Sequence, residues 1–385
     1  MNTQARPFSL HVAETALSDL HDRLKRTRLP DQAPGEPWAY GTDVDWLRDL
    51  LDYWRNDFDW RAQEAQLNAL PQYQVALHGI DLHFLHVPGN GPNPYPLLLL
   101  HGWPGSVFEF LELIPRLTDP ARFGGDPADA CTVVVPSLPG FGLSFKPGQQ
   151  RFSAEEMADC MAALMTDVLG YPKFAAQGGD WGSFIASRLA YAYAERMLGI
   201  HLNFMPLRRD PDIAIDPDPA EARYLDELAL FLREETGYQW IQGTRPQTLA
   251  FALTDSPAGL AAWIGEKFRA WSDCGGELES VISKDRLLAN IGLYWFTGAI
   301  GSSFWPYYAR MHGPWPIPAG EKVTVPTGYC ESPCEILRPP RSLAARTYSD
   351  IQRWTVLPRG GHFAALEQPE VLAREIQAFF RPLRV

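Results

Sequence analysis

The stretch Gln177-Gly178-Gly179-Asp180-Trp181-Gly182-Ser183 is the tightest constraint in the chain. It lies between the apolar-leaning residues 171–176 and the helix-like residues 184–196, so a strand must become a helix within a few residues. Glycines at 178 and 182 suit such a turn, because the two backbones approach too closely there for side chains. The pattern glycine, any residue, nucleophile, any residue, glycine lifts one side chain above the edge of a sheet. Asp180 occupies the apex, where a serine is usual. A carboxylate in that place points to alkylation of the side chain rather than acyl transfer. Taken alone, the same residues also describe a surface turn with an incidental aspartate.

The flanking chain narrows the choice. Pro96-Leu97-Leu98-Leu99-Leu100 and Cys131-Thr132-Val133-Val134-Val135-Pro136 are uninterrupted apolar runs, as expected for strands buried on both faces of a parallel sheet. An amphipathic helix is predicted between them over 107–117, another over 153–169, and then comes the Asp180 turn. Upstream, residues 74–87 alternate around His78-Gly79 as a β-hairpin. Helical spacing marks residues 8–30, with Pro30 as the stop, and again 44–58. Residues 206–320 hold helices and no convincing strand: 220–235, then Pro257 to Trp271 behind Ser256 as N-cap, then 284–300. Strand patterns return at 322–329 and 351–356, and a helix closes the chain over 371–381. This is a doubly wound α/β order, a mostly parallel sheet flanked by helices, with a helical insertion where a lid would sit. The division predicted is an N-terminal lobe over 1–75, a core over 76–205 and 321–385, and a lid over 206–320.

Composition excludes several functions. The net charge of −12 leaves no basic face for nucleic acid or an anionic membrane. Five cysteines without a C-x-x-C pair fit reduced thiols, and no Cys or His cluster completes a metal site. No apolar run has the length of a signal core or a membrane span. A soluble, cytoplasmic protein without metal or other cofactor is therefore expected, and a homodimer is compatible with it.

An ester on Asp180 must be cleaved, which calls for a histidine to activate water and an acid to orient that histidine. His362, in Arg359-Gly360-Gly361-His362-Phe363 after the last strand, fits. A histidine near a chain end is otherwise a surface or capping residue, and its place in the order nucleophile, acid, histidine is what singles it out. Glu335 follows the penultimate strand and is the acid chosen, with Glu331, Asp350 and Asp210 as rivals. His101-Gly102-Trp103-Pro104 ends a central strand, where ligands bind in α/β sheets. The backbone N–H groups of Trp103 and Trp181 then form the predicted oxyanion hole.

The Asp180 turn, His101-Gly102-Trp103-Pro104, Gly360-Gly361-His362-Phe363-Ala364 and the segment from Phe58-Asp59-Trp60-Arg61 to Leu67-Asn68 together resemble the epoxide hydrolases of the microsomal type. The resemblance covers nearly the whole chain. It implies an α/β-hydrolase fold with an N-terminal lobe and a helical lid. It also implies two lid tyrosines that hold the epoxide oxygen and donate a proton. Tyr238 matches the first, and Tyr307 is preferred to Tyr308 as the second by its spacing from Ser302-Ser303. A phenol, with pKa of about 10, stays protonated at neutral pH. His101, Pro104 and Tyr308 are taken as substrate-binding. Two departures stand out. Ser332-Pro333-Cys334 precedes Glu335 where the family often has an aromatic residue and a lysine, and the apolar N-terminal helix of anchored members is missing.

The expected activity is hydrolysis of a small hydrophobic epoxide to a vicinal diol through an ester on Asp180. The alternatives are a haloalkane dehalogenase, for which Trp181 would supply a halide donor, and a non-catalytic binding protein on the same fold.

Overall fold

The computed structural model describes residues 4–208 and 215–384. The described strands form one sheet in the order β1-β2-β3-β5-β4-β6-β7-β8-β9. They are β1 (Arg6–Pro7), β2 (Gln72–Leu77), β3 (Ile80–Val87), β4 (Tyr95–Leu100), β5 (Cys131–Pro136), β6 (Phe174–Gly178), β7 (Met197–Leu202), β8 (Thr327–Glu331) and β9 (Ile351–Val356). Pairing is antiparallel from β1 through β3 to β5 and parallel from β5 to β9. The hairpin turns at His78 (φ 48°) and Gly79 (φ 81°), the two left-handed residues that a two-residue turn of matching twist requires.

The continuous apolar runs are buried on both faces. Leu98, Leu100 and Val134 join the core on one side of the sheet, and Leu97, Leu99, Val133 and Val135 join the core on the other. Strand side chains alternate between faces, so an all-apolar strand feeds two cores.

Three helices precede the main sheet: α1 (Glu14–Lys25), α2 (Val44–Asn56) and α3 (Trp60–Asn68). The Asp43 carboxylate caps α2 by accepting from Asp45 and Trp46 N–H, and Asp59 caps α3 in the same way. Leu47, Leu50, Leu51 and Trp54 line one stripe of α2, which packs on the lid rather than on the sheet.

Within the α/β portion lie α4 (Leu113–Thr118), α5 (Ala154–Ala163) and α6 (Asp180–Ala192). The insertion between β7 and β8 carries α7 (Pro219–Glu234), α8 (Gly237–Thr244), α9 (Pro246–Asp255), α10 (Pro257–Trp271), α11 (Lys284–Thr297), α12 (Ile300–Ser303) and α13 (Trp305–His312). Ser256 Oγ accepts from Gly259 N–H at the start of α10, as its sequence suggests. The chain ends with α14 (Arg341–Ala344), α15 (Ala364–Glu367) and α16 (Pro369–Phe380).

Several predicted bounds are corrected. The first helix covers 14–25 rather than 8–30, and stops before Pro30. Residues 107–117 divide into a 3-10 turn over Val107–Phe110 and α4, and α5 continues into a π-helical turn over Leu164–Val168. The strand expected over 322–329 is β8, displaced toward the C-terminus. Pro326 lacks an N–H, and of the earlier residues Val323 makes only an isolated bridge to Tyr348. A boundary at 75/76 cuts β2, and β1 and β2 belong to the sheet, so the N-terminal segment is partly sheet.

Candidate active site

The turn at the end of β6 is shaped by close approach. A Cβ on Gly178 would lie 2.3 Å from Gly182 O, and one on Gly182 would lie 2.1 Å from Leu100 O. Asp180 between them has φ 44°, a left-handed conformation uncommon for a residue with a side chain. Ser183 Oγ donates to Asp180 O (2.6 Å) and helps to hold the turn. Gly182→Ala is therefore expected to destabilise the fold by about 1–3 kcal/mol through overpacking against β4 backbone. A denaturant midpoint equal to that of the parent protein would contradict this.

The Asp180 carboxylate meets two partners. Trp103 N–H donates to Oδ1 (2.7 Å), and His362 Nε2 lies 3.4 Å from Oδ2. Trp181 follows Asp180 in the first turn of α6, where backbone N–H groups have no acceptor inside the helix. His362 Nδ1 is 2.6 Å from Glu335 Oε1, which also accepts from Ile336 N–H (2.7 Å). The structure thus brings Asp180, His362 and Glu335 into one line. Glu331 ends β8 at a distance from that line, facing Arg338, and Asp350 accepts from Gln352 instead. Asp210 lies outside the described residues.

Burial alone would push His362 below its ordinary value. The Glu335 charge, with the bonds to Asp180 and Glu335, outweighs burial and raises it well above. The imidazolium therefore sits between two carboxylates.

Tyr238 on α8 and Tyr307 on α13 lie above Asp180, with ring centroids 5.7 Å apart and planes at 77°. The Trp103 indole stacks on Tyr238 at 5.3 Å and meets Tyr307 edge-on at 5.8 Å. Tyr238 Oη accepts from Gln239 Nε2 (2.9 Å), whereas Tyr307 Oη and Trp181 Nε1 make no hydrogen bond of good geometry to a described residue. Burial, with the Asp180 charge adding to it, raises both phenols, so each keeps its proton at neutral pH. Asp180, Trp181, Tyr238 and Tyr307 line a cavity of ≈ 310 Å³ together with Phe184, Phe231, Trp315 and Leu337. Trp240 and Met311 are exposed at its rim.

Three residues predicted to contact substrate do not line this cavity. His101 is 2 % exposed, and its ring serves the backbone: Nδ1 donates to Gly102 O (3.1 Å), and Nε2 accepts from Leu138 N–H (3.2 Å). Burial lowers it to about 4, so it is neutral. Pro104 O accepts from Asn290 Nδ2 (2.7 Å), pinning the loop to α11. Tyr308 stacks on Trp305 and His312, away from the cavity. His101 and Pro104 shape the loop that presents Trp103 N–H, and Tyr308 packs the back of α13.

Two groups near Asp180 escape the sequence reading. Asn203, just after β7, accepts from Gln177 Nε2 (2.7 Å) beneath the turn. Glu109 lines a small void behind Asp180 and closes a capping box with Ser106. Its signal was present as Ser106-x-x-Glu109, although such a motif announces a helix start and nothing more.

Fold and site together define an α/β hydrolase with an aspartate at the nucleophile position. Residues 5–110 match the family described as "Epoxide hydrolase N terminus", and residues 95–266 match the "alpha/beta hydrolase fold". The chain is 44 % identical to a Stigmatella aurantiaca protein provisionally named an epoxide hydrolase, over 98 % of this chain and 85 % of the relative. It is 37 % identical to epoxide hydrolase 1 of Oryctolagus cuniculus, over 97 % and 88 %. The crystal structure of juvenile hormone epoxide hydrolase from Bombyx mori superposes with a TM-score of 0.90 at 32 % identity, covering 100 % of this chain and 95 % of that one. The chain belongs to the epoxide hydrolase family, and so it is a hydrolase. That membership favours the epoxide over the haloalkane and the enzyme over the binding protein. Among the described residues no helix is long and apolar enough to cross a membrane.

Proposed function

We propose that this hydrolase converts an epoxide to a vicinal diol in two steps through an ester on Asp180. The observation that carries the reading is the position of Asp180 between two buried phenols on its cavity side and His362 on the other. In the first step an Asp180 oxygen attacks a ring carbon and the ring C–O bond breaks. The departing oxygen takes a proton from Tyr238 or Tyr307. A phenol that keeps its proton until an alkoxide develops stabilises the transition state more than the ground state.

Esterification removes the Asp180 charge, and with it part of what holds His362 in its protonated form. His362 then releases its proton, which restores the phenol, and becomes the base at the moment a base is needed. Water attacks Asp180 Cγ while His362 Nε2 takes its proton. The oxyanion is met by Trp103 N–H, joined in this proposal by Trp181 N–H. Collapse of the intermediate breaks the bond to the alkyl oxygen, and the imidazolium returns the proton to the leaving diol. Glu335 holds the tautomer that makes this possible.

The cavity lining favours an apolar epoxide, in keeping with two relatives named for hydrolysis of juvenile hormone epoxide. Oxygen tracing tests the route. One turnover in H2(18O) with enzyme in excess is expected to place the label in the Asp180 carboxylate and to give an unlabelled diol. Label in the first-turnover diol would mean direct attack of water on the epoxide, and the ester would have to be abandoned.

A further inference from the structure

Lys267 on α10 is 7 % exposed, and lysine is seldom buried without partners. Its Nζ pairs with Glu266 Oε2 (2.8 Å) and with Glu235 Oε2 (3.2 Å), just beyond α7. The same Glu235 oxygen accepts from Trp271 Nε1 (3.5 Å). One plain role of these bonds is to tie α10 to the end of α7. The place of the charge adds a second role. Nζ lies over the Tyr238 ring, 5.0 Å from its centroid, and over the Trp271 ring at 5.6 Å.

A cation over an aromatic face is attracted by the negative face of the ring, more strongly when the pair is shielded from water. The attraction grows as the ring gains charge, and a phenol gains charge when its O–H bond breaks. On the two-step route, negative charge leaves the Asp180 carboxylate for the epoxide oxygen, and the proton that neutralises it there leaves a phenolate behind. Burial first, and then the Asp180 charge, raises Tyr238, so a phenolate forms there only against resistance. An ammonium over the ring offsets part of that resistance, and it does so most in the transition state. Tyr307 has different surroundings, its ring meeting Trp181 and Trp103 edge to face at 4.9 Å and 5.8 Å.

We propose that Lys267, acting through the face of the Tyr238 ring, makes Tyr238 the phenol that gives its proton to the opening epoxide, with Tyr307 as a hydrogen-bond partner of the same oxygen. The inference deepens the two-step reading above and rests on it. The electron pair of the breaking ring C–O bond goes to the epoxide oxygen, the Tyr238 Oη–H bond breaks, and its proton joins that oxygen. The phenolate faces the ammonium until the proton released by His362 restores it. Lys267 touches no reacting atom and is a positioning residue for Tyr238.

Single-turnover kinetics with a terminal epoxide, followed by rapid quench and intact mass, read adduct formation and adduct decay separately. Lys267→Met keeps the unbranched stem and drops the charge. It is expected to slow alkylation about 5- to 30-fold and to leave ester hydrolysis within about threefold. Lys267→Gln, which can still bond Glu235, is expected to show the same split and carries the test if the Lys267→Met form does not fold. Lys267→Arg keeps a cation and is expected to hold alkylation within about threefold of the parent. In a Tyr238→Phe background, Lys267→Met is expected to change alkylation by less than about twofold, because that ring has no proton to lose. In a Tyr307→Phe background it is expected to keep its full effect.

Alkylation at the parental rate in folded Lys267→Met or Lys267→Gln overturns the inference. So does an equal slowing of both steps, a Lys267→Arg form as slow as Lys267→Met, or an undiminished loss in the Tyr238→Phe background. A His362→Gln form that yields no adduct at all would instead remove the covalent reading beneath it.

Discussion

His362→Gln, mixed with a terminal epoxide, is expected to become heavier by the mass of one whole epoxide and to stay so. The added mass should map to the peptide carrying Asp180. Glutamine is close to histidine in size and is neutral, so the packing against Trp271 (ring centroids 5.2 Å) and Phe204 (6.0 Å) is largely kept. On the proposed route, what is lost is the base that makes water a nucleophile. Alkylation on that route does not need the base, because in the proposed first step Asp180 is the attacking group and the phenols supply the proton. Steady-state turnover should fall by about 10⁴- to 10⁶-fold, the range seen when a member of a hydrolytic triad is removed. Diol production near the parental rate, with no adduct, would show that His362 does not act after Asp180.

The second large effect falls on the other half of the reaction. Tyr238→Phe and Tyr307→Phe each remove one oxygen from the cavity above Asp180 and leave the rings stacked on and edged against Trp103. Each single change should slow alkylation about 10- to 100-fold, since the remaining phenol still meets the developing alkoxide. The double change should cost more than either, about 10³-fold or beyond, and the two losses will not add independently because the rings are in contact. Ester hydrolysis, measured as adduct decay in single turnover, should move little. Slower decay with unchanged alkylation would place the phenols on the wrong step.

The part of this site that the sequence makes legible depends on backbone. Gly178 and Gly182 are needed because a Cβ on either would fall 2.3 Å or 2.1 Å from a carbonyl oxygen, and a glycine pair around one polar residue is visible in a string of letters. The apolar runs of β4 and β5 are visible for a similar reason: strands buried on both faces have no polar positions to break the run. The helical insertion is legible as a block but not in its parts. The short helices α8, α9 and α13 are begun or divided by Gly237, Pro246 and Pro306, and none is long enough to show a clear period. Function by direction is the least legible. Tyr307 and Tyr308 are neighbours of one chemical type, and only the packing of α13 on α8 sends one ring into the cavity and the other onto Trp305 and His312. His101 looks like a ligand in sequence, yet its ring nitrogens hold the loop that ends β4. Glu109 sits within a capping box, and its approach to the rear of Asp180 depends on a fold that joins three distant segments.

The His362 loop is tied to the lid by its own backbone. His362 N–H donates to Trp271 O (2.8 Å) at the end of α10, and a Cβ on Gly361 would come within 2.4 Å of that same oxygen. Asp273, just beyond α10, accepts from Gly360 N–H (2.9 Å) through Oδ2, while its own N–H donates to Glu367 Oε2 (2.7 Å). The lid is therefore two pieces with different freedom to change. Residues around the cavity mouth, such as Trp240 and Met311, have no such bond to the His362 loop, and selection can redraw them to admit new substrates. The last turn of α10 is part of the frame that seats His362, and a lid transplanted from a relative would bring with it a new seat for that histidine.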